Sequence, residues 1–163
     1  MNTIRIGLIG AGDIADLHAE AINGLQGAEL AGLWNRTSKK GKMKAAQYGC
    51  MAYESVDELL NDPKIDAVFI LTNMETHCEY TVKAAMAGKH VLVEKPAASS
   101  MAELEKMQKA VLEAGLKCMP VHNYIYESGI LRTKSMIENG SLGDITQFYI
   151  MCNIHNSAAI RAR

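Results

Sequence analysis

The stretch Ile4–Leu17, I-R-I-G-L-I-G-A-G-D-I-A-D-L, decides the fold. A short apolar strand runs directly into Gly10-Ala11-Gly12-Asp13-Ile14-Ala15, and a helical pattern follows at once. Glycine at position 10 allows the sharp turn out of the strand. Glycine at position 12 has no side chain, so a pyrophosphate can come close to the backbone. Ala15 holds the third small position, where one methyl still lets helix and strand pack closely. The N–H groups and positive dipole end of the helix then face the phosphates. The letters alone would also suit an ordinary glycine-rich turn. The strand before them and the amphipathic helix after them favour a dinucleotide site built on Gly10, Ala11, Gly12, Asp13 and Ile14.

The next test lies about 20 residues on, at the end of the second strand, where the ribose-reading residue belongs. Glu29-Leu30-Ala31-Gly32-Leu33-Trp34 is that strand, and Asn35-Arg36-Thr37 follows it. An acidic residue there would accept the ribose 2′-hydroxyl and repel a 2′-phosphate. Asn35 is uncharged, while Arg36, Thr37, Ser38 and Lys39 offer donors to a phosphate. The expected cofactor is NADP in preference to NAD. The competing account of these residues is a solvated basic start to a helix.

Beyond this point strands and helices alternate. The spacing predicts strands at Thr3–Ile9, Glu29–Trp34, Met51–Tyr53, Ala67–Leu71, His90–Val93 and Lys117–Val121. In the first helix, Ile14, Leu17, His18, Ala21, Ile22 and Leu25 share one face. A lysine-rich helix spans Ser38–Tyr48. Ser55-Val56-Asp57-Glu58, Thr76-His77-Cys78-Glu79 and Ser100-Met101-Ala102-Glu103 have the capping-box spacing, and Gly88 and Gly115 close two of the helices. Leu104, Met107, Val111 and Ala114 line one face of the helix after Ser100. A last helix, about Glu127–Asn139, ends at Gly140, with Leu131, Lys134 and Ile137 toward its packed side. Strands separated by helices pair in parallel through right-handed crossovers. The fold class is α/β: a doubly wound parallel sheet of the NAD(P)-binding Rossmann type, in order 3-2-1-4-5-6.

Composition narrows the partners. The 163 residues carry 17 basic and 18 acidic side chains, net charge −1, which leaves no electrostatic footprint for nucleic acid or an anionic membrane. Cys50, Cys78, Cys118 and Cys152 are far apart and form no C-x-x-C, so neither a zinc site nor a disulfide framework is expected. Reduced thiols, a soluble chain and a cytoplasmic location are the expectation. The scattered methionines are core filling.

In an open parallel sheet, ligands bind at the carboxyl ends of the strands. The distinctive residues gather there: Gly10–Asp13, Asn35–Thr37, Thr72–Met74, Glu94-Lys95-Pro96 and His122-Asn123-Tyr124. At these residues the chain becomes recognisable. G-A-G-D-I-A-x-x-H-A, T-N-M-E-T-H, A-G-K-H-V-L-V-E-K-P and N-G-S-L-G-D-I, in this order, resemble the glucose–fructose oxidoreductase, inositol dehydrogenase and rhizopine-catabolism (Gfo/Idh/MocA) family, over about Ile4–Ile154. The resemblance implies an NAD(P)-dependent oxidoreductase of sugars, polyols and related carbonyl compounds. It also implies an N-terminal Rossmann domain, here residues 1–123. Residues 124–163 would then be a linker helix and the first strand of a truncated substrate and oligomerisation domain.

By that resemblance Lys95 contacts the substrate hydroxyl and takes part in proton transfer. Partial burial and a nearby oxidised nicotinamide would both lower its pKa, as suits a general base. The plain alternative is a surface lysine held by Glu94. Thr72, Asn73, His77, Glu94 and Lys95 itself complete the expected cofactor contacts, with His77 near the nicotinamide ribose. His122 and Tyr124 are candidate substrate contacts. His18 is expected to be packed and hydrogen-bonded, His155 has no assigned role, and no histidine spacing suggests a metal.

The chain departs from the family pattern twice. Asn73 and Met74 replace a common Pro-Pro, which leaves that loop less rigid. The sequence also stops at Arg163, before the aspartate and histidine that complete the family's catalytic group. Two readings follow: the nucleotide-binding part of a dehydrogenase, or, if 163 residues are the native chain, an NAD(P)-binding module without turnover. An S-adenosylmethionine site is disfavoured by the E-K-P block. Thr146, Phe148, Ile150, Cys152 and Ile154 alternate as one face of a strand. Left unpaired, residues 144–155 are expected to mediate homo-oligomerisation or to be disordered.

Overall fold

The computed structural model describes residues 3–151. The chain divides into one compact unit ending at His122 and a second beginning at Asn123. In the first unit, β1 (Ile4–Ile9), β2 (Ala28–Trp34), β3 (Met51–Ala52), β4 (Ala67–Ile70), β5 (His90–Val93) and β6 (Cys118–Pro120) alternate with α1 (Asp13–Asn23), α2 (Ser38–Tyr48), α3 (Val56–Asn61), α4 (His77–Met86) and α5 (Met101–Glu113). The strands form one sheet in the order β3-β2-β1-β4-β5-β6, every neighbour parallel. This is the expected doubly wound α/β fold.

The two-residue period of a strand builds the two cores. Ile6 and Leu8 of β1 join Leu30, Leu33 and the alanines of α1 and α2 on one face. Ile9 joins Val68, Ile70, Val91, Val93 and the inner sides of α3, α4 and α5 on the other. Because both faces are covered, the strands carry almost no polar residue, as buried parallel strands require.

The sequence pattern misplaces the inner face of α1. Ala15, Ala19 and Ile22 are buried against the sheet, whereas Ile14, Leu17 (62% exposed), Ala21 and Leu25 face outward. Positions 15, 19 and 22 also have helical spacing, and two alanines let the helix lie close to the glycine loop it leaves. In α5, Met107 and Val111 are buried, while Leu104 and Ala114 are exposed.

Two of the three expected caps form. Ser55 Oγ accepts the Glu58 N–H at 3.0 Å, and Ser100 Oγ accepts the Glu103 N–H at 3.2 Å. Thr76 does not cap α4. A short 3-10 turn, Met74–Thr76, precedes the helix, and the Thr76 hydroxyl turns back to Thr72 Oγ1 (2.7 Å) and the Asn73 carbonyl (2.8 Å).

The strand-start edge is closed by polar groups. Asp66 Oδ2 accepts the Arg5 N–H at 2.7 Å, and the buried Lys89 ammonium donates to the Asp62 and Ile65 carbonyls at 2.9 and 2.7 Å. A buried charge needs such acceptors, which gives Lys89 a structural role at this edge.

The second unit begins with a 3-10 turn, Asn123–Tyr126, followed by α6 (Ser128–Glu138), which ends at Asn139 and Gly140. No residue of α6 is buried. Leu131 and Ile137 are exposed, as is Lys134, whose ammonium approaches Glu138 at 3.8 Å. The expected strand is absent from the described part of its range: Thr146–Met151 is irregular and exposed, with Tyr149 83% open to solvent. A lone strand has no neighbour for its N–H and C=O groups, so alternation alone does not make one. Cys152, Ile154 and His155 lie outside the described residues.

One close approach gives a stability test. A Cβ on Gly32 would lie 2.2 Å from Tyr53 Cε2, and the Tyr53 hydroxyl is anchored to Asp62 Oδ2 at 2.6 Å. Gly32→Ala is therefore expected to destabilise the first unit by about 1–3 kcal/mol. Urea unfolding should show a lower midpoint at unchanged slope.

Candidate functional site

The glycine loop sits where β1 ends between its two neighbours. Gly10 donates its N–H to the Trp34 carbonyl at 2.8 Å and holds φ +114°. A Cβ there would lie 3.0 Å from the Leu71 carbonyl carbon and oxygen. Only glycine satisfies both the dihedral and the space. Gly12 is different: a Cβ would meet nothing within 4 Å, so the space beside it is open. Gly12 is also the N-cap of α1, with extended backbone and no side-chain cap. The start of the helix thus opens toward a cleft, as an anion site requires. Asp13 and Ile14 are exposed at that start, and Ala15 is fully buried behind it.

Asn35 ties this loop to the second strand. Its Oδ1 accepts the Ala11 N–H at 3.0 Å, and its Nδ2 donates to the Thr37 carbonyl at 3.1 Å. The carboxamide therefore braces two loops, a task for which a carboxylate has the acceptor but not the donor.

These loops wall a half-open cleft of about 270 Å³. Gly10, Ala11, Gly12 and Leu71 form its floor, Trp34 to Thr37 and Lys40 one side, and Thr72, Asn73, Thr76 and Tyr80 the other. Arg36 and Lys40 form no salt bridge among the described residues, and the first turn of α2 contains no acid. The rim is therefore a cationic edge open to an anion. Trp34 and Tyr80 meet edge to face, with centroids 5.9 Å apart. Burial, and then the Glu79 charge, pushes the Tyr80 phenol above its usual range, so it stays neutral. Sequence reasoning missed Lys40 and Tyr80. Their signal was helical spacing: Lys40 stands three residues beyond Thr37, and Tyr80 four beyond Thr76.

The Glu94-Lys95-Pro96 segment leaves β5 on the same edge of the sheet. Glu94 is buried (7% exposed), with Oε1 3.0 Å from His18 Nε2 and Oε2 accepting the Lys95 N–H at 2.9 Å. His18 packs edge-on to Phe69, in the hydrogen-bonded role expected of it. Lys95 itself is exposed, contrary to the expected partial burial, and Glu94 holds its backbone rather than its ammonium. The Lys95–Pro96 peptide is cis.

His77, expected near the nicotinamide ribose, is buried against the protein. It is 1% exposed, with Nδ1 2.9 Å from the Pro96 carbonyl and Nε2 2.9 Å from the Thr72 carbonyl. Both ring nitrogens are engaged with protein. Glu94 likewise has both carboxylate oxygens occupied, and neither residue lines the cleft. His122 is exposed just beyond β6, and Tyr124 is exposed in the second unit.

A larger cleft of about 670 Å³ lies along α5 and the edge strand β6, lined mainly by Leu104, Met107, Val111, Leu116 and Met119. Its lining is mostly apolar, with Gln108 and Lys117 the long polar side chains, so size alone does not make it the site. Desolvation raises the thiols of Cys50 (to about 11), Cys78 and Cys118, which keeps them protonated and poorly nucleophilic. Among the described residues no three His, Cys, Asp or Glu side chains are placed to share a metal ion, and no helix is long and apolar enough to cross a membrane.

Comparison with known proteins agrees with this geometry. Residues 4–122 match the sequence model of the Gfo/Idh/MocA oxidoreductases, described as an oxidoreductase family with an NAD-binding Rossmann fold. The chain is 31% identical over 141 residues to myo-inositol 2-dehydrogenase of Thermotoga maritima, covering 86% of this chain and 42% of that enzyme. It is 31% identical over 159 residues to glucose-6-phosphate 3-dehydrogenase of Bacillus subtilis, covering 98% of this chain and 44% of that one. Among solved structures, scyllo-inositol dehydrogenase of Lactobacillus casei with bound NAD(H) and scyllo-inositol superposes with a TM-score of 0.82 at 28% identity, over 89% of this chain and 44% of that one. The chain therefore spans well under half the length of these relatives. With a six-stranded parallel sheet, a glycine loop opening onto a helix start, and a family match across residues 4–122, the chain belongs to the Gfo/Idh/MocA family of NAD(P)-dependent oxidoreductases.

Proposed function

We propose that this chain is the nucleotide-binding part of a dehydrogenase that interconverts a hydroxyl and a carbonyl on a sugar, cyclic polyol or related compound. The observation that carries the reading is the open helix start beside Gly12, with Arg36 and Lys40 unpaired across the cleft. The cleft would take part of a dinucleotide: the phosphates would meet the backbone at Gly10–Ile14, and the adenosine end would lie along Asn35, Arg36, Thr37 and Lys40. The residues after β4, Thr72 and Asn73, would form the opposite wall. A bound nicotinamide supplies the hydride acceptor or donor for such a reaction. Lys95, exposed at the end of β5, is the residue proposed to exchange a proton with the substrate hydroxyl. His122 and Tyr124 remain candidates for further substrate contacts. The compounds for which these relatives are named, inositols and glucose 6-phosphate, support a polyhydroxylated ring as the substrate class.

The same rim supports NADP as the preferred cofactor. Asn35 brings no charge to repel a 2′-phosphate, and two cations that form no salt bridge among the described residues, Arg36 and Lys40, line the same cleft. Calorimetric titration of the 163-residue protein should show tighter binding of NADPH than of NADH. Asn35→Asp keeps the acceptor for Ala11 but adds a charge, and should reverse the preference by about tenfold, a change of about 1.4 kcal/mol. Equal affinity for both nucleotides in both proteins would refute the assignment.

The single tryptophan, Trp34, lines the cleft, so its emission reports occupancy directly. NADPH should quench it in a saturable way, at the concentrations that calorimetry gives. Should the 163 residues act alone, nucleotide binding without turnover is the second reading. It is favoured by the described residues, which present Lys95 in the open without a companion acid or base in contact with its ammonium.

The second unit is proposed to associate with further copies or further domains through its apolar exterior. Phe148, Tyr149, Ile150 and Met151 are all exposed. Sedimentation should show self-association that Phe148→Lys with Ile150→Lys reduces. A strictly monomeric parent protein would count against this.

A further inference from the structure

The two histidines that touch the Lys95 segment come from two of the helices that begin at the cleft, α1 and α4. His18 lies on α1, whose start is the glycine loop. His77 opens α4, directly after the Thr72–Thr76 wall. His18 reaches Glu94 Oε1 at 3.0 Å, and the other oxygen of that carboxylate fixes the Lys95 N–H. His77 spans from the Thr72 carbonyl to the Pro96 carbonyl, 2.9 Å at each end. The residues on either side of Lys95 are thus each contacted by an imidazole, through the Glu94 carboxylate and the Pro96 carbonyl, while the lysine is exposed.

From this arrangement we propose that His18 and His77 are positioning residues which tie the placement of Lys95 to the two walls of the cofactor cleft. The proposal rests on the reading of that cleft as the NAD(P) site.

The chemistry favours struts over ligands. Neither ring has much exposure: His77 is fully buried, and the His18 side chain is mostly covered. Nδ1 of His77 faces the Pro96 carbonyl and Nε2 faces the Thr72 carbonyl, so two conservative replacements separate the two contacts. Asparagine keeps a donor near the position of Nδ1, toward Pro96. Glutamine keeps one near Nε2, toward Thr72. A buried carbonyl left without a donor costs free energy, so each replacement releases one end of the strut. Glu94 depends on His18 in the same way, because a buried carboxylate requires its partners.

The test is site-specific acylation of the intact 163-residue protein, read lysine by lysine in a mass spectrometer, with and without saturating NADPH. Lys109, exposed on α5 and remote from the cleft, is the internal reference, since unfolding changes both lysines together. In the parent protein, NADPH should slow Lys95 labelling about tenfold relative to Lys109. In His77→Leu and His18→Leu that protection should be lost, even at nucleotide concentrations that calorimetry shows to be saturating. His77→Asn, which keeps the bond toward Pro96, should retain most of the protection, and His77→Gln should retain less. Thermal melts of the asparagine and glutamine variants show that the fold is kept. Protection that survives unchanged in both leucine variants overturns the proposal, as does nucleotide binding by the parent protein without protection of Lys95. Absence of calorimetric heat with either nucleotide removes the underlying cofactor reading as well, and is told apart by that signal alone.

Discussion

The molecule is organised by the place where β1 runs out between two diverging neighbours. Gly10 is bonded to the end of β2 through the Trp34 carbonyl, and Leu71 at the end of β4 is bonded to Ile9. A side chain at position 10 would collide with the Leu71 carbonyl. The chain can leave the sheet here only as glycine, with positive φ, and the helix that follows must start in the crevice between the loops after β2 and β4. That is the topological switch point of a doubly wound sheet, where ligands bind.

Around that crevice the polar groups fall into two kinds. Asn35, Thr76, His77, His18 and Glu94 have their side-chain atoms committed to other parts of the protein. They set the positions of loops, although Asn35 and Thr76 also line the cleft. Arg36, Lys40 and Lys95 stand at the rim or in solvent without salt bridges among the described residues. Charge that is exposed and unpaired beside an uncapped helix start is available to bind, whereas buried charge must already be satisfied. This division separates ligand-facing groups from the braces that hold them, and it moves Glu94 and His77 from the first kind to the second.

Much of this was legible in the sequence. The alternation of apolar strands with helices pointed to parallel pairing through right-handed crossovers, and the glycine motif after β1 pointed to the observed strand order. Ser55 and Ser100 announced their helix starts because a hydroxyl three residues before a free amide is a local interaction. Thr76 has the same local spacing and does not cap, because the 3-10 turn before it offers its hydroxyl nearer partners. The inner face of α1 was misread because two stripes share the helical period. Only the sheet beneath it selects the alanine stripe over Ile14 and Leu17. The alternation at Thr146–Ile150 did not become a strand, because a strand is defined by a neighbour and the pattern contains none.

What the sequence determined by itself is what short-range physics controls: the glycine turn, the caps, the period of each element, and from these the doubly wound sheet. What only the tertiary structure decided is which side chains meet across long separations in the chain. Examples are Asn35 on the Ala11 amide, His18 on Glu94, and His77 between Thr72 and Pro96. Those pairings depend on the register in which the strands bring their ends to one edge. Register is set by packing on both faces of the sheet at once, which no local window of residues contains.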